Sequence, residues 1–304
     1  PWFLHLSYVK PHWPYMAPAP YHALYSAEQA LPLNRAPTER DGEHPVLAAY
    51  RRHEESQSFQ RPDAAGIVRP AYMGLIRQID DWLGRLFELL QRLGRFDDTL
   101  IVFTSDHGDF LGDHWLGEKE MFYEEAQRVP FIVYDPDPAA DATRGTVDDR
   151  FVEAVDVVPT CLAALGQPAQ DHLVEGRSLL PLLRGGAPER WRDAVFSELD
   201  YAFREARLML GRKPNECRAI MVRTDRWKYV WWQDFRPMLF DLANDPQERR
   251  DLGGEAGHDG VKRAMEDRIA AWLKGRKTRV TVDDAYVAAR TNTHRKHGIH
   301  FGVW

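Results

Sequence analysis

The sequence predicts an α/β fold with a small antiparallel sheet and a helix toward its C-terminal end, and three observations carry that prediction. Leu100-Ile-Val-Phe103 is an unbroken apolar run of the kind buried on both faces of a parallel sheet. Between Val68 and Leu93 the apolar positions Tyr72, Leu75, Ile76, Ile79, Leu83, Leu86, Leu90 and Leu93 recur at helical spacing. Past Pro188 the texture changes to short β-rich segments separated by turn signals.

In chain order, Trp2-Phe-Leu-His-Leu-Ser-Tyr-Val9 reads as an interior strand that begins without a lead-in, so a preceding segment is expected. Pro11 and Pro14 then stop any ladder and hold His12 and Trp13 in a stiff loop. Residues 17–62 are polar and proline-punctuated, with one helix expected from Pro45 to Phe59, and read as a lid or surface excursion. The long helix follows and leads into the Leu100 strand. Val129-Pro-Phe-Ile-Val-Tyr134 reads as a further strand, and Val152 to Leu165 as a helix stopped by Gly166 and Pro168. Ala194 to Glu198, Ala219 to Arg223, Trp227 to Trp232 and Met238 to Leu242 supply the small antiparallel sheet, Val261 to Leu273 its helix, and a basic tail ends the chain. Trp227, Trp231 and Trp232 read as packing residues of that sheet or as a subunit contact.

The 304 residues, 44% hydrophobic, suffice for a substantial core in one large domain or two. Forty basic against forty-six acidic residues give −6 without a long single-sign run, so there is no electrostatic footprint for nucleic acid or an anionic membrane. No apolar run reaches the roughly 18 residues a spanning helix needs. Cys161 and Cys217 are too few for a disulfide framework and lack paired metal spacing; they lean toward a reducing, cytoplasmic setting, although one bridge stays open.

Chemistry concentrates at the end of the Leu100 run. Strand carboxyl ends are where open α/β sheets hold ligands, and Asp106-His107 offers a hard oxygen beside an imidazole, a pairing suited to a divalent cation. Read alone, such a pair is equally a surface pair or a turn cap. The glycine-rich stretch that follows carries Lys119, either a cation for an oxyanion or a solvated loop lysine. His12 reads as a packed or solvated loop histidine unless it meets that site, and His114 has no assigned role.

Lys10-Pro-His12, Phe103-Thr-Ser-Asp-His-Gly108, Gly117-Glu-Lys119 and Phe240-Asp-Leu-Ala-Asn-Asp-Pro-Gln-Glu248 together resemble the sulfatase branch of the alkaline phosphatase superfamily. Gly112-Asp-His-Trp-Leu-Gly-Glu-Lys119, Val129-Pro-Phe-Ile-Val-Tyr-Asp-Pro136 and Gly298-Ile-His-Phe-Gly-Val-Trp304 are similar to phosphonate monoester hydrolases, which also cleave phosphodiesters. The resemblance implies a partial alkaline-phosphatase-like mixed sheet flanked by helices. It divides the chain into residues 1–190, the later part of a catalytic domain, residues 191–280, a sheet-plus-helix subdomain, and residues 281–304, a C-terminal arm.

By position, the resemblance makes Asp106 and His107 ligands of one divalent cation, manganese, calcium or zinc. His12 would touch the transferred group or protonate the departing oxygen, and Lys119 would bind the non-bridging oxygens. The implied nucleophile is a formylglycine made from the cysteine of a Cys-x-Pro-Ser-Arg motif, which this sequence lacks, so it is expected only in a missing N-terminal part. Cys161 and Cys217 read as structural thiols. The expected partner is a small anionic ester, with phosphonate or phosphate esters ahead of sulfate esters. An aryl- or choline-type sulfatase and a catalytically inactive binding or assembly module are the alternatives. Arg290, His294, Arg295, Lys296 and His297 could touch an anion, but the resemblance implies a homo-oligomer contact through the arm.

Overall fold

The computed structural model describes residues 2–293 and Gly302. Short 3-10 turns precede α1 (Pro45–Tyr50) and α2 (Glu54–Phe59), and α3 (Ala64–Arg92) then leads to β1 (Ile101–Thr104). The site-bearing loop follows, then α4 (Glu124–Gln127), β2 (Phe131–Tyr134), α5 (Val157–Ala164) and α6 (Leu180–Leu183). The last third holds β3 (Val195–Asp200), α7 (Glu205–Met209), β4 (Arg218–Arg223), β5 (Trp227–Trp232), β6 (Met238–Asp241), α8 (Asp259–Gly275) and α9 (Asp284–Arg290).

The sheet β3-β4-β5-β6 is antiparallel throughout, and its period-two register explains why both faces are buried. Ala219, Met221, Val230, Trp232, Met238 and Phe240 point into a core shared with α1 and with the segment 110–126. The alternate residues Ile220, Val222, Tyr229 and Leu239 point the other way, against Met265 and Ile269 of α8. The sheet therefore acts as the wall against which the site-bearing segment is packed. Trp232 is buried in the first core, while Trp227 and Trp231 pack at the edge of the second.

Four expectations change. Residues 2–9 form no strand: Phe3, Leu4 and Val9 are well exposed, and no described strand hydrogen-bonds to this segment, without which an extended apolar run is not a ladder. β1 is half-buried and pairs antiparallel with β2, Ile101 opposite Tyr134 and Thr104 opposite Phe131, rather than lying inside a parallel sheet. A short apolar run does not specify the direction of its partner. The expected Pro45–Phe59 helix is two helices, broken at Arg51–His53, where Arg51 bonds the carbonyl oxygens of His114 and Glu39 and the Glu43 carboxylate. Nor is this region a surface excursion, since Val46, Leu47, Ala49 and Tyr50 sit in the main core. On α3, Leu75 is fully buried, whereas Ile76, Trp82, Leu89 and Leu93 keep much of their surface exposed.

No helix among the described residues is long and apolar enough to cross a membrane. Cys161 and Cys217 are both free thiols. Of the tail, α9 and Arg290 are described, while His294, Arg295, Lys296, His297 and most of the Gly298–Trp304 motif lie outside the described residues.

Candidate active site

β1 ends at Thr104, and the chain turns at Ser105, whose hydroxyl donates to the His107 carbonyl at 2.7 Å. The turn is held from behind at Gly108, whose N–H donates to the Ala126 carbonyl at 2.9 Å. A Cβ at Gly108 would sit inside the Glu125 carbonyl oxygen, so only glycine permits this approach. Asp106 is consequently thrust outward, its carboxylate 84% exposed, with His107 half-covered beside it.

The His107 ring has a defined tautomer. Its Nδ1 faces the Gly108 carbonyl at 2.7 Å and must donate there, leaving the Nε2 lone pair free, 3.5 Å from Asp106 Oδ2. Two donors about 2.1 Å from one cation at a tetrahedral angle lie about 3.4 Å apart, so these atoms fit two positions of a divalent ion. A backbone carbonyl orienting the imidazole is the usual second support of a metal-binding histidine. Among the described residues no group of three or more histidine, cysteine or acidic side chains is placed to complete such a site.

His12 reaches the same place from 107 residues away in sequence: its Nε2 lies 2.8 Å from Lys119 Nζ. Its Nδ1 faces the Trp13 carbonyl at 3.1 Å, so Nε2 is the acceptor and the Lys119 ammonium the donor. The His12 and His107 rings meet edge to face with centroids 6.0 Å apart. All four residues singled out in the sequence are thus neighbours: Asp106 and His107 at the strand end, His12 and Lys119 facing them.

Two features that sequence reasoning missed hold this meeting in place. The Tyr15 hydroxyl donates to Asp109 Oδ2 at 2.8 Å, clasping the His12 loop to the strand end. Burial pushes the Asp109 carboxyl up, partly opposed by that bond, and burial with the neighbouring Asp109 pushes the Tyr15 phenol well above its ordinary value. Neither residue is distinguishable by type from any other tyrosine or aspartate in the sequence.

The second feature lies under the Lys119 loop. Leu111, His114, Trp115 and Glu118 all have positive φ although none is glycine, and Gly112 lies at φ 96°. Such a run persists only where surrounding contacts over-determine it. Arg69 grips the loop at the Leu111 carbonyl and at Asp113 Oδ1, 2.6 Å away. His114 is fully buried, stacked on Tyr123 at 3.9 Å, with Nδ1 2.7 Å from Glu39 Oε2 and Nε2 3.3 Å from Glu125 Oε2. Burial alone would lower its pKa, but hydrogen bonds to Glu125 and Glu39 outweigh that and push it up to about 9. His114 is therefore a buried imidazolium pinning the loop.

Lys228 anchors the segment just beyond. Its ammonium is buried between Glu124 (2.8 Å) and Glu248 (2.7 Å) and donates to the Phe122 carbonyl at 2.8 Å. Glu248, the last residue of the Phe240–Glu248 motif, thereby joins the C-terminal sheet to the site-bearing segment. Burial raises the pKa of both cysteines, keeping them thiols and unsuited to act as nucleophiles.

Residues 1–167 match the Sulfatase family, and residues 112–274 match the C-terminal family of N-sulphoglucosamine sulphohydrolase. The chain belongs to the sulfatase family. It is 36% identical to the multifunctional alkaline phosphatase superfamily protein PehA of Trinickia caryophylli, over 90% of this chain and 55% of that protein. An arylsulfatase of Clostridium perfringens is 31% identical over 83% of this chain and 49% of its own length. The phosphonate monoester hydrolase of Agrobacterium radiobacter superposes with a TM-score of 0.81 at 33% identity, covering 90% of this chain and 57% of that one. The chain thus spans about half the length of the relatives it matches. Its mixed arrangement of helices and antiparallel strands has the sulfatase and alkaline-phosphatase-like fold.

Proposed function

We propose that this chain supplies the cation ligands and the anion-binding pair for metal-dependent hydrolysis of phosphonate and phosphate mono- or diesters, with sulfate esters as secondary substrates. The carrying observation is the Lys119–His12 contact beside the Asp106–His107 turn, which places an ammonium, two imidazoles and an open carboxylate around one point. Lys119 binds the non-bridging oxygens, where negative charge accumulates in a phosphoryl or sulfuryl transition state. His12, accepting at Nε2 while Lys119 is unoccupied, is placed to hand a proton to the departing oxygen once an anion takes over the ammonium. Asp106 and His107 hold one divalent cation, of manganese, calcium or zinc type, which when bound lowers the pKa of the nucleophile.

The nucleophile is not among these residues, for no Cys-x-Pro-Ser-Arg motif occurs. We place a formylglycine in an N-terminal segment that would complete the length of the relatives, and assign residues 281–304 to a homo-oligomer contact. The arylsulfatase relative supports sulfate esters as the second reading.

The 304-residue chain, purified with added divalent metal, should bind Mn²⁺ weakly and hydrolyse an aryl phosphonate monoester negligibly compared with a protein extended to the relatives' length. Loss of a covalent nucleophile lowers turnover on the order of a millionfold. In the extended protein Asp106→Ala and His107→Ala should empty the metal site, whereas Lys119→Ala should lower kcat/KM with metal retained. Equal rates for chain and extended protein, or unchanged metal and rates in all three variants, overturn the assignment.

A further inference from the structure

We propose that the cavity beside the His12–Lys119 pair binds the alcohol portion of the ester, and that this alcohol carries an alkylammonium group. This rests on reading the pair as the ester-binding point. The cavity encloses about 400 Å³, within the range of small-molecule sites, about 300–1,000 Å³. Its walls bring together the rings of Trp13, Tyr15 and Phe59 and the carboxylates of Glu54, Glu55 and Glu118. It is continuous with the reaction point at two places: Trp13 follows His12, its ring centroid 6.0 Å from the imidazole, and Glu118 precedes Lys119.

The charges around it are lopsided. Arg204 stands outside the ring of lining residues and is shared among Glu55 and Glu118, each at 3.5 Å, and Glu120 at 3.1 Å. One guanidinium thus faces three carboxylates, and Glu54 adds a fourth. The Lys10 ammonium is turned to the carbonyl oxygens of Pro14 and His12, and Asp109 is engaged with Tyr15. Tyr15 and Phe59 meet edge to face, centroids 6.1 Å apart, which gives the walls aromatic surface in more than one orientation.

Aromatic walls with surplus carboxylates attract a cation sheathed in methyl or methylene groups through the ring quadrupoles and by direct charge. A neutral aryl group would fill the rings and leave the carboxylates unanswered, and an anionic tail would be repelled. With Lys119 beside it, the site presents positive and negative poles side by side, the complement of an ester that is anionic at phosphorus or sulfur and cationic at its far end.

The test uses the chain itself, with choline and its neutral isostere 3,3-dimethylbutan-1-ol titrated against the Trp13 indole resonance. Choline should bind about tenfold more tightly than the isostere, as expected for a desolvated cation among aromatic rings. Trp13→Ala and Glu54→Gln, both at exposed positions, should each weaken choline severalfold while leaving the unfolding midpoint unchanged. Equal affinity for the two alcohols, or choline binding indifferent to both variants, overturns the proposal. Phosphocholine separates it from the reading beneath it. Lys119→Ala should weaken phosphocholine but not choline; if neither changes, the ester reading falls while the ammonium site stands.

Discussion

Replacing His114 with glutamine should remove a pH-dependent stabilisation that the wild-type chain carries only while the imidazole is charged. The buried ring is held up to about 9 by Glu125 and Glu39, against an ordinary histidine value of about 6.5 in the unfolded chain. A difference of about 2.5 units corresponds to about 3 kcal/mol of linked stability. Burial would raise the Glu125 carboxyl, but the bond from His114 holds it at about 2; this is the same interaction seen from its other partner and is counted once. Because the folded value is raised, the stabilisation is complete below about pH 6.5 and disappears as pH climbs through about 9. Urea unfolding of wild type and His114→Gln should therefore differ by about 3 kcal/mol at pH 6 and converge toward pH 10. Nuclear magnetic resonance of ¹⁵N-labelled histidine should show one ring titrating near pH 9 that is absent from the variant. A His114 midpoint at or below 7, or stability curves that stay parallel across this range, would refute the buried-imidazolium account.

Two further perturbations probe the frame. Lys228→Met keeps the aliphatic bulk but strands Glu124 and Glu248, and should cost about 3–5 kcal/mol by chemical denaturation at neutral pH. The loss should narrow toward pH 4, because a stranded buried carboxyl has a raised folded pKa and destabilises only once pH exceeds its unfolded value. Gly108→Ala drives a methyl into the Glu125 carbonyl and should cost about 3 kcal/mol, the upper part of the overpacking range. It should also weaken Mn²⁺ binding, since the same turn aims Asp106 and His107; an unchanged melting point and unchanged metal affinity would show that the contact relaxes freely.

The C-terminal sheet was readable because β3 to β6 combine alternating apolar residues with turns that leave each strand only one sensible neighbour. Pairing direction was not readable at β1, where four apolar residues satisfy a buried parallel strand and a half-buried antiparallel one equally well. The break between α1 and α2 is a tertiary effect: the arginine that ends α1 serves the His114 carbonyl, 63 residues on. Within the site, the Asp106–His107 turn announced itself locally, and motif resemblance pointed to His12 and Lys119. Tyr15, Asp109, His114 and Lys228 stayed hidden, for charged and polar residues are usually solvated and only the folded chain shows which of them are buried.

The distribution of charge explains why the reacting pair can be open while its support is not. His114 and Lys228 each sit in a closed set of carboxylates, where removing one partner leaves an uncompensated buried charge, so each junction is rigid. Lys119 lies between them in sequence, on a loop whose left-handed residues are tolerated only because both flanks are pinned. Its ammonium meets a neutral imidazole instead of a carboxylate, so an arriving anion displaces a weak partner rather than breaking an ion pair. The cationic contact is in this way kept available for substrate by the two buried ion networks on either side of it.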